Sequence, residues 1–246
     1  LPTELRLEGA TDFSVFYRDG HWDAALKSMN FTGLVSGRAL EAAGGLRAAS
    51  DGTVSARNVT LRAGCNTMTA DGSVAVAGKG ALNLKARIAA PDLSEVSPRL
   101  KGEARGTVAV SGTLGEPRLS ADLTASGMRF NDLAIDRARL AGRFGSGGAA
   151  DAVTLTVNGL RQGDYAVPEA RLVLAGTPEK HTLRFSAREK THGLALDGRL
   201  TGSWKTEAAL WSGAAQSLSV KTPLGAWALT KAAPLTVSAA SQQLKN

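Results

Sequence analysis

A chain of 246 residues can bury a sizeable core, but only 5% of it is aromatic, and alanine fills many of its apolar positions. This composition argues against a thick sandwich and favours a thin sheet. The net charge of +7 suggests a nucleic-acid or lipid partner, yet the basic residues stand singly, without aromatic residues between them. We therefore expect no nucleic-acid partner and a solvated basic face. Weak attraction to anionic lipid head groups or lipopolysaccharide is the alternative.

The number of cysteines limits the disulfides and metal sites that this chain can form, and the distribution of its apolar residues bears on membrane-spanning and signal segments. Cys65 is the only cysteine, so an intramolecular disulfide and a cysteine-based metal site are excluded. No segment approaches the ~18 consecutive apolar residues of a membrane-spanning helix. The chain opens at Leu1 without a signal sequence, which indicates a piece of a longer protein.

The first part of the chain alternates apolar and polar residues with a period of two, the pattern of half-buried β-strands. Asp19-Gly20, Asp51-Gly52 and Asp71-Gly72 are typical of hairpin turns, so each predicts the end of a strand. The apolar phase slips between Ala56 and Val59, within one of these predicted segments.

Residues 82–88 form the most regular strand pattern, and the alternation then stops at 91–98. In that segment a proline suits the first turn of a helix, Asp92 or Ser94 can cap it, and Pro98 ends it. We therefore predict one short helix near 91–98, closing an end of the sheet.

Glycine-punctuated alternation is clearest at 101–144. Here Leu133 and Ile135 occupy odd-numbered positions, whereas Leu140 occupies an even-numbered one, so a regular strand would place them on opposite faces. This slip predicts a β-bulge near Asp136 to Arg139.

The same alternation continues after a glycine-rich loop at 145–150, the best candidate for a weak boundary. Segment 204–211 is ambiguous between strand and short helix. The whole chain predicts about sixteen strands of roughly 4 to 8 residues each. We expect residues 1–246 to form a single elongated section.

Motifs for catalysis and metal binding are absent from the sequence. His21, His181 and His192 lack metal-ligand spacing, and no nucleophile elbow, zinc-protease, Walker or CxxC motif is present. Glycines stand between strands rather than between a strand and a helix, so no phosphate-binding loop is predicted. We expect neither an enzyme nor a bound cofactor or metal.

A sheet with one apolar face must bury that face against a second sheet, a helix layer or a partner that is not protein. Bulky residues and helices are too few to supply the partner, so the sheet either folds upon itself or holds a ligand. The candidate lining residues are the apolar members of the alternating runs: Leu82, Leu84, Ile88, Val108, Val110, Leu119, Leu123, Leu133, Ile135, Val153, Leu155, Val157, Leu172, Leu174, Leu183, Phe185, Leu194, Leu196, Leu218 and Val220.

Residues 91–238 resemble the TamB family, which is related to the AsmA-like proteins. The similarity rests on Gly102, Gly106, Gly112, Pro117-x-Leu119, Trp211-x-Gly213 and Gly225-x-Trp227. It implies an all-β fold in which a long sheet curls into an open, U-shaped hydrophobic groove (a β-taco) with a polar exterior.

The resemblance also implies a location and a function. Family members are thought to conduct phospholipid outwards and, with the outer-membrane barrel TamA, to support insertion of autotransporters and other barrels. This chain would be an interior periplasmic section of a protein anchored in the inner membrane, with TamA contacted through other parts. Phospholipid acyl chains would be its direct partner, because burying them gains ~0.8 kcal/mol per CH₂ without specific contacts.

Two alternatives stay open at the level of the sequence. A chaperone-like scaffold would pair its exposed strand edges with strands of unfolded outer-membrane proteins. A plain structural β-sandwich or adhesin-like module would instead have a dry, fully packed interior.

Overall fold

The structure is a computed structural model that describes residues 5–35, 37–76, 80–148, 151–205, 210–238 and 242–244. Its regular structure is almost entirely antiparallel strand, which confirms the predicted all-β class. The chain divides into two compact units, unit 1 (Leu1–Leu114) and unit 2 (Gly115–Asn246).

Unit 1 is an open meander in which each strand pairs with the next along the chain. Within its described residues no pairing joins the first strand to the last, so the sheet does not close. The strands are β1 (Leu5–Arg18), β2 (His21–Val35), β3 (Arg38–Ala49), β4 (Thr53–Ala63), β5 (Asn66–Ala75), β6 (Ala81–Ala90) and β7 (Leu100–Thr113).

Two of the three predicted Asp-Gly turns are present. Asp19 and Gly20 join β1 to β2 with φ of 51° and 80°, the left-handed values that a two-residue hairpin turn requires. The Asp51-Gly52 turn joins β3 to β4. The prediction at Asp71-Gly72 is wrong, because both residues lie inside β5.

Asp71 has a different task, at an irregularity of the neighbouring strand. The register between β4 and β5 shifts between Ala56 and Val59, where the sequence showed a phase slip. Asn58 lies at this bulge with φ of 49°, and its backbone N–H donates to Asp71 Oδ1 at 2.6 Å. The carboxylate therefore satisfies an amide that the bulge removes from the ladder.

The predicted helix near 91–98 is a single 3₁₀ turn at Leu93–Glu95. Asp92 caps it, since its Oδ1 accepts from the backbone N–H of Ser94 at 2.9 Å. Asn66, at the start of β5, binds this segment through Nδ2 to Asp92 O at 2.6 Å and through Oδ1 to Asp92 N at 3.1 Å. Asn66 is only 5% exposed, so these bonds anchor the turn to the end of the sheet.

Unit 2 is also an open antiparallel sheet, and strands β8 to β14 pair in sequence order. Both β15 and β16 then pair with β14, and β16 also pairs with β17. The strands are β8 (Pro117–Phe130), β9 (Leu133–Phe144), β10 (Ala152–Gln162), β11 (Tyr165–Thr177), β12 (Lys180–Arg188), β13 (Ala195–Lys205), β14 (Leu210–Thr222), β15 (Gly225–Ala228), β16 (Ala233–Ser238) and β17 (Gln242–Leu244).

The bulge predicted near Asp136 to Arg139 is not a bulge of one strand. The registers of β8 with β9 and of β9 with β10 stay constant across this level. Instead the pairing is interrupted at Gly127, Asp136 and Gly159, and both glycines are left-handed, with φ of 60° and 64°. The irregularity therefore crosses neighbouring strands at one level without changing the register.

Most strands are longer than the roughly 4 to 8 residues predicted. Several glycines lie inside strands, which differs from the expectation that glycines stand between strands. Gly9, for example, lies within β1, and a Cβ there would meet the Cα of Phe31 on β2 at 2.7 Å. Such glycines allow a close approach of the neighbouring backbone rather than a turn.

Two further predicted features lie only partly within the described residues. The loop at 145–150 joins β9 to β10, which pair with each other inside unit 2, and its residues 149–150 are outside the described residues. Residues 206–209 of the ambiguous segment also lie outside them, while Trp211 belongs to β14. That the whole chain forms one elongated groove section stays a prediction.

Candidate functional site: the apolar faces of the two sheets

Apolar side chains of unit 1 share one face of its sheet. The register places Ala56, Gly72, Leu84 and Val110 directly opposite one another across β4 to β7. The neighbouring row on that face contains Val54, Val74 and Leu82. Opposed residues in an antiparallel sheet project to the same side, so these rows form one apolar face.

Unit 2 repeats this arrangement across seven strands. One row consists of Leu123, Leu140, Leu155, Leu172, Phe185, Gly198 and Leu218, in the order β8 to β14. The row one residue along projects to the other side and contains Thr124, Arg139, Thr156, Arg171, Ser186, Asp197 and Ser219. The sheet thus has an apolar face and a polar, arginine-rich face.

The apolar faces are only partly buried. Among the predicted lining residues Val153 is buried, at 6% exposure, and Leu84, Leu172, Leu196 and Leu218 are exposed. The other predicted lining residues are half-buried. The apolar face of unit 1 is more exposed near β1, where Phe13 is 65% and Tyr17 71% exposed.

Packed interior is scarce in the part of the chain that the structure describes. Besides Gly80 and Pro178, its buried apolar residues are Met29, Ala90, Ala121, Val153 and Ala215, three of them alanines, and no described side chain is fully buried. A two-layer sandwich would bury the large side chains of its inner faces. Each unit is instead a single sheet, so the sandwich alternative does not describe it.

Three of the predicted lining residues lie away from the regular part of the strands: one precedes a strand, and two lie beyond the irregularity in β9. Leu194 lies outside β13, which starts at Ala195, and its carbonyl accepts from the backbone N–H of Glu189. Leu133 and Ile135 lie beyond the interrupted level at Asp136, opposite Phe130 and Met128 of β8. The remaining predicted lining residues lie within strands.

Sequence reasoning missed an aromatic cluster at one end of the apolar face of unit 2. Trp211 Nε1 donates to His181 Nε2 at 2.7 Å, and Phe144 meets the His181 ring edge-on at a centroid distance of 6.3 Å. Because an indole N–H only donates, His181 Nε2 accepts and its Nδ1–H donates to Pro178 O at 3.0 Å. The sequence contained a signal for this cluster, because His181, Leu183 and Phe185 are spaced by two and therefore project from the same face of the strand.

The polar faces carry cross-strand ion pairs. Arg139 contacts Asp122 at 3.1 Å, and Arg188 contacts Asp197 at 2.7 Å. A hydrogen bond from Arg161 lowers the pKa of Asp136 below its ordinary value. These side chains are largely exposed, so each pair adds little to stability and mainly keeps this face hydrated.

Glu189 is the one charged residue that is buried in the described part of the chain. Burial alone would raise its pKa, but backbone N–H groups of His192, Ala166 and Thr191 donate to the carboxylate and lower the pKa to about 2. The carboxylate therefore holds the connection between β12 and β13 as a structural anion.

Cys65 lies at the turn between β4 and β5, where its backbone N–H donates to Glu95 Oε2 at 2.5 Å. A hydrogen bond to the Glu95 carboxylate raises the pKa of this exposed thiol, which disfavours the reactive thiolate. Across the residues that the structure describes, no group of three or more His, Cys, Asp or Glu side chains is arranged to hold a metal ion. The same residues include no helix long and apolar enough to cross a membrane.

Comparisons with known proteins identify the family of this chain. The family model of the TamB N-terminal domain matches residues 2–245. The chain is 21% identical over 207 residues to the translocation and assembly module subunit TamB of Haemophilus influenzae, an alignment that covers 83% of this chain but only 15% of the relative. No solved structure matches. The chain belongs to the family of the TamB N-terminal domain.

Proposed function

We propose that this chain is a non-enzymatic section of a periplasmic conduit, in which the apolar sheet faces shield phospholipid acyl chains between the inner and outer membranes. The observation that carries the proposal is the one-sided apolar face of each unit, which stays partly exposed in the described residues. Large exposed apolar surfaces are typical of binding sites in soluble proteins.

Energetics support an acyl chain as the occupant. Each CH₂ group removed from water gains about 0.8 kcal/mol, so a lining of Leu, Val and Ile binds it without directional contacts. The rows contain small residues beside large ones, such as Gly198 beside Phe185, so the surface offers no deep, shape-specific pocket. A surface of this kind favours sliding of a lipid over selection of one species.

Family membership supports the cellular context. The curated relative is a subunit of a translocation and assembly module. We therefore place this chain in the periplasmic part of an inner-membrane-anchored protein that supports outer-membrane assembly, including autotransporters and other barrels. In this proposal the barrel partner TamA is contacted by other parts of the longer protein.

The proposal is tested by lipid analysis with site-specific photocrosslinking. A crosslinking residue is placed on the apolar face at Leu84, Leu155 or Leu196, and control positions on the polar face are Asn83, Ser120 and Ala195. The protein is purified from cells without added lipid, and bound lipids are identified by mass spectrometry. We expect phospholipid adducts from the first set only. Adducts of equal yield from both faces, or none from either, would contradict a lipid-carrying face.

A second candidate function rests on the edge of β1. Within the described residues of unit 1, β1 pairs along one edge only, with β2, and it exposes Phe13, Val15 and Tyr17. An unpaired edge offers backbone N–H and C=O groups to an incoming strand. Crosslinks from Ser14 to unfolded barrel precursors, without lipid adducts at Leu84, would favour this scaffold role over the conduit.

A further inference from the structure

The polar face of unit 2 contains two like charges in direct opposition. Arg184 on β12 is the register partner of Arg199 on β13. Directly opposed residues have Cβ atoms about 4.5–5.5 Å apart, and like charges at this spacing destabilise a sheet. Among the pairings described within the two units, this is the only one that places two charged residues of the same sign opposite each other.

A third arginine lies next to this opposed pair on the same face. Arg171 on β11 lies opposite Ser186, which makes it the diagonal neighbour of Arg184. The three arginines line one depression of about 470 Å³, together with Val173, Phe185, Ser186, Asp197, Gly198 and Ser217. All three are exposed, so their guanidinium groups are accessible.

The acidic group in this depression does not neutralise the three arginines. Asp197 is held by Arg188, which contacts its Oδ2 at 2.7 Å and donates to its Oδ1 at 3.0 Å. No ion pair or hydrogen bond joins the side chains of Arg171, Arg184 or Arg199 to another group in the described part of the chain. By contrast, Arg139 on the same face is paired with Asp122.

We propose that Arg171, Arg184 and Arg199 form a binding site for an anionic phosphate group on the polar face of unit 2. Guanidinium groups bind phosphate oxygens through paired, charge-assisted hydrogen bonds, and Ser186 and Ser217 supply hydroxyl donors at the same depression. A bound phosphate removes the repulsion between the opposed arginines. The site lies on the face opposite the acyl-binding rows, so it goes beyond the proposed conduit function.

Binding is measured by calorimetric titration with inorganic phosphate and with glycerol 3-phosphate, and by flotation with phosphatidylcholine vesicles that contain or lack phosphatidic acid. The site variant is Arg184→Gln/Arg199→Gln. The control, Arg137→Gln/Arg143→Gln, removes the same charge from β9 on the same face. We expect the site variant to bind at least about tenfold more weakly and the control to bind as the wild type does.

The two sources of phosphate are distinguished by the arms of the experiment. Binding of both soluble phosphates indicates a site for a free phosphate group, whereas binding only to vesicles with phosphatidic acid indicates a lipid head group. Either result supports the site if the arginine pair is required. Absence of saturable binding in every arm, or an equal loss in the control variant, would overturn it.

A stability measurement separates this role from a structural one. If the arginine pair exists to bind an anion, the site variant has a higher Tm than the wild type in buffer without phosphate, since a repulsion is removed. A lower Tm would assign the pair to the fold and overturn the proposal. Leu84→Asp/Leu196→Asp, which disrupts the apolar faces, is expected to keep phosphate binding, so failure of the conduit proposal is distinguishable from failure of this one.

Discussion

The ring of Phe185 on β12 lies over Gly198, the residue directly opposite it on β13. Gly198 has an ordinary strand backbone, so glycine is needed there for space rather than for conformation. At this pair only the Phe185 ring projects from the apolar face of unit 2, between the leucines of the neighbouring strands.

Replacing Gly198 by valine is expected to destabilise the protein by about 1–3 kcal/mol, because the new side chain must displace the Phe185 ring. Urea denaturation followed by circular dichroism measures this change. In a Phe185→Ala background the same substitution should cost clearly less, since the obstructing ring is gone. A cost that is unchanged in that background would show that Phe185 is not the obstacle.

Leu84→Asp and Leu196→Asp are expected to reduce bound phospholipid while the sheet still folds. Each leucine is 37% exposed, so a carboxylate at that position stays partly hydrated and the sheet can still fold. The substitution removes apolar contact with the lipid, and we expect the lipid affinity to fall roughly tenfold. Quantitative mass spectrometry of extracted lipid measures the effect. Asn83→Asp and Ala195→Asp add the same charge on the polar faces and should retain wild-type lipid, and an equal loss in these controls would refute the assignment of faces.

Glu189 makes the stability of unit 2 depend on pH in the acid range. Its pKa is about 2 in the folded protein and near the ordinary 4.5 when unfolded, so its contribution is fully present above pH 4.5. That contribution is lost as the pH falls through the folded pKa. Glu189→Gln should therefore lower stability at neutral pH and flatten the decline between pH 4.5 and 2, measured by denaturation at several pH values. Glu179→Gln, at an exposed turn position, should leave the profile unchanged.

Asn66→Ala is expected to cost unit 1 about 1–3 kcal/mol, because the backbone groups of Asp92 and the carbonyl of Ala63 lose a buried partner. Hydrogen exchange should locate the loss of protection at 91–99. Asn83→Ala, on the exposed polar face of β6, serves as the control and should change stability little. Unchanged exchange at 91–99 in Asn66→Ala would mean that other contacts hold the turn.

Periodicity of two was sufficient to predict the all-β class and the members of the apolar rows. Side chains alternate across any strand, so the apolar parity of residues such as Leu84, Leu155 and Leu196 is readable without a partner strand. Turn chemistry was readable where it is local, as at Asp19-Gly20, where both residues adopt left-handed backbone.

The same local signal failed where a distant residue decides the outcome. Asp71-Gly72 has the composition of a turn, but Asp71 binds the amide of Asn58 and the segment stays in β5. The slip at Ile135 and Leu140 located an irregularity correctly, but its nature depends on Gly127 and Gly159 in the two neighbouring strands.

The sequence by itself determined that this protein is a series of strands with one apolar and one polar side, because alternation is a property of each strand alone. The tertiary structure decided which residues meet. Register depends on hydrogen bonding between distant segments, so only the assembled sheet places Phe185 over Gly198 and opposes Arg184 to Arg199. Burial too is collective, and only the assembled sheets leave Leu84 and Leu196 partly exposed on the faces that we propose carry lipid.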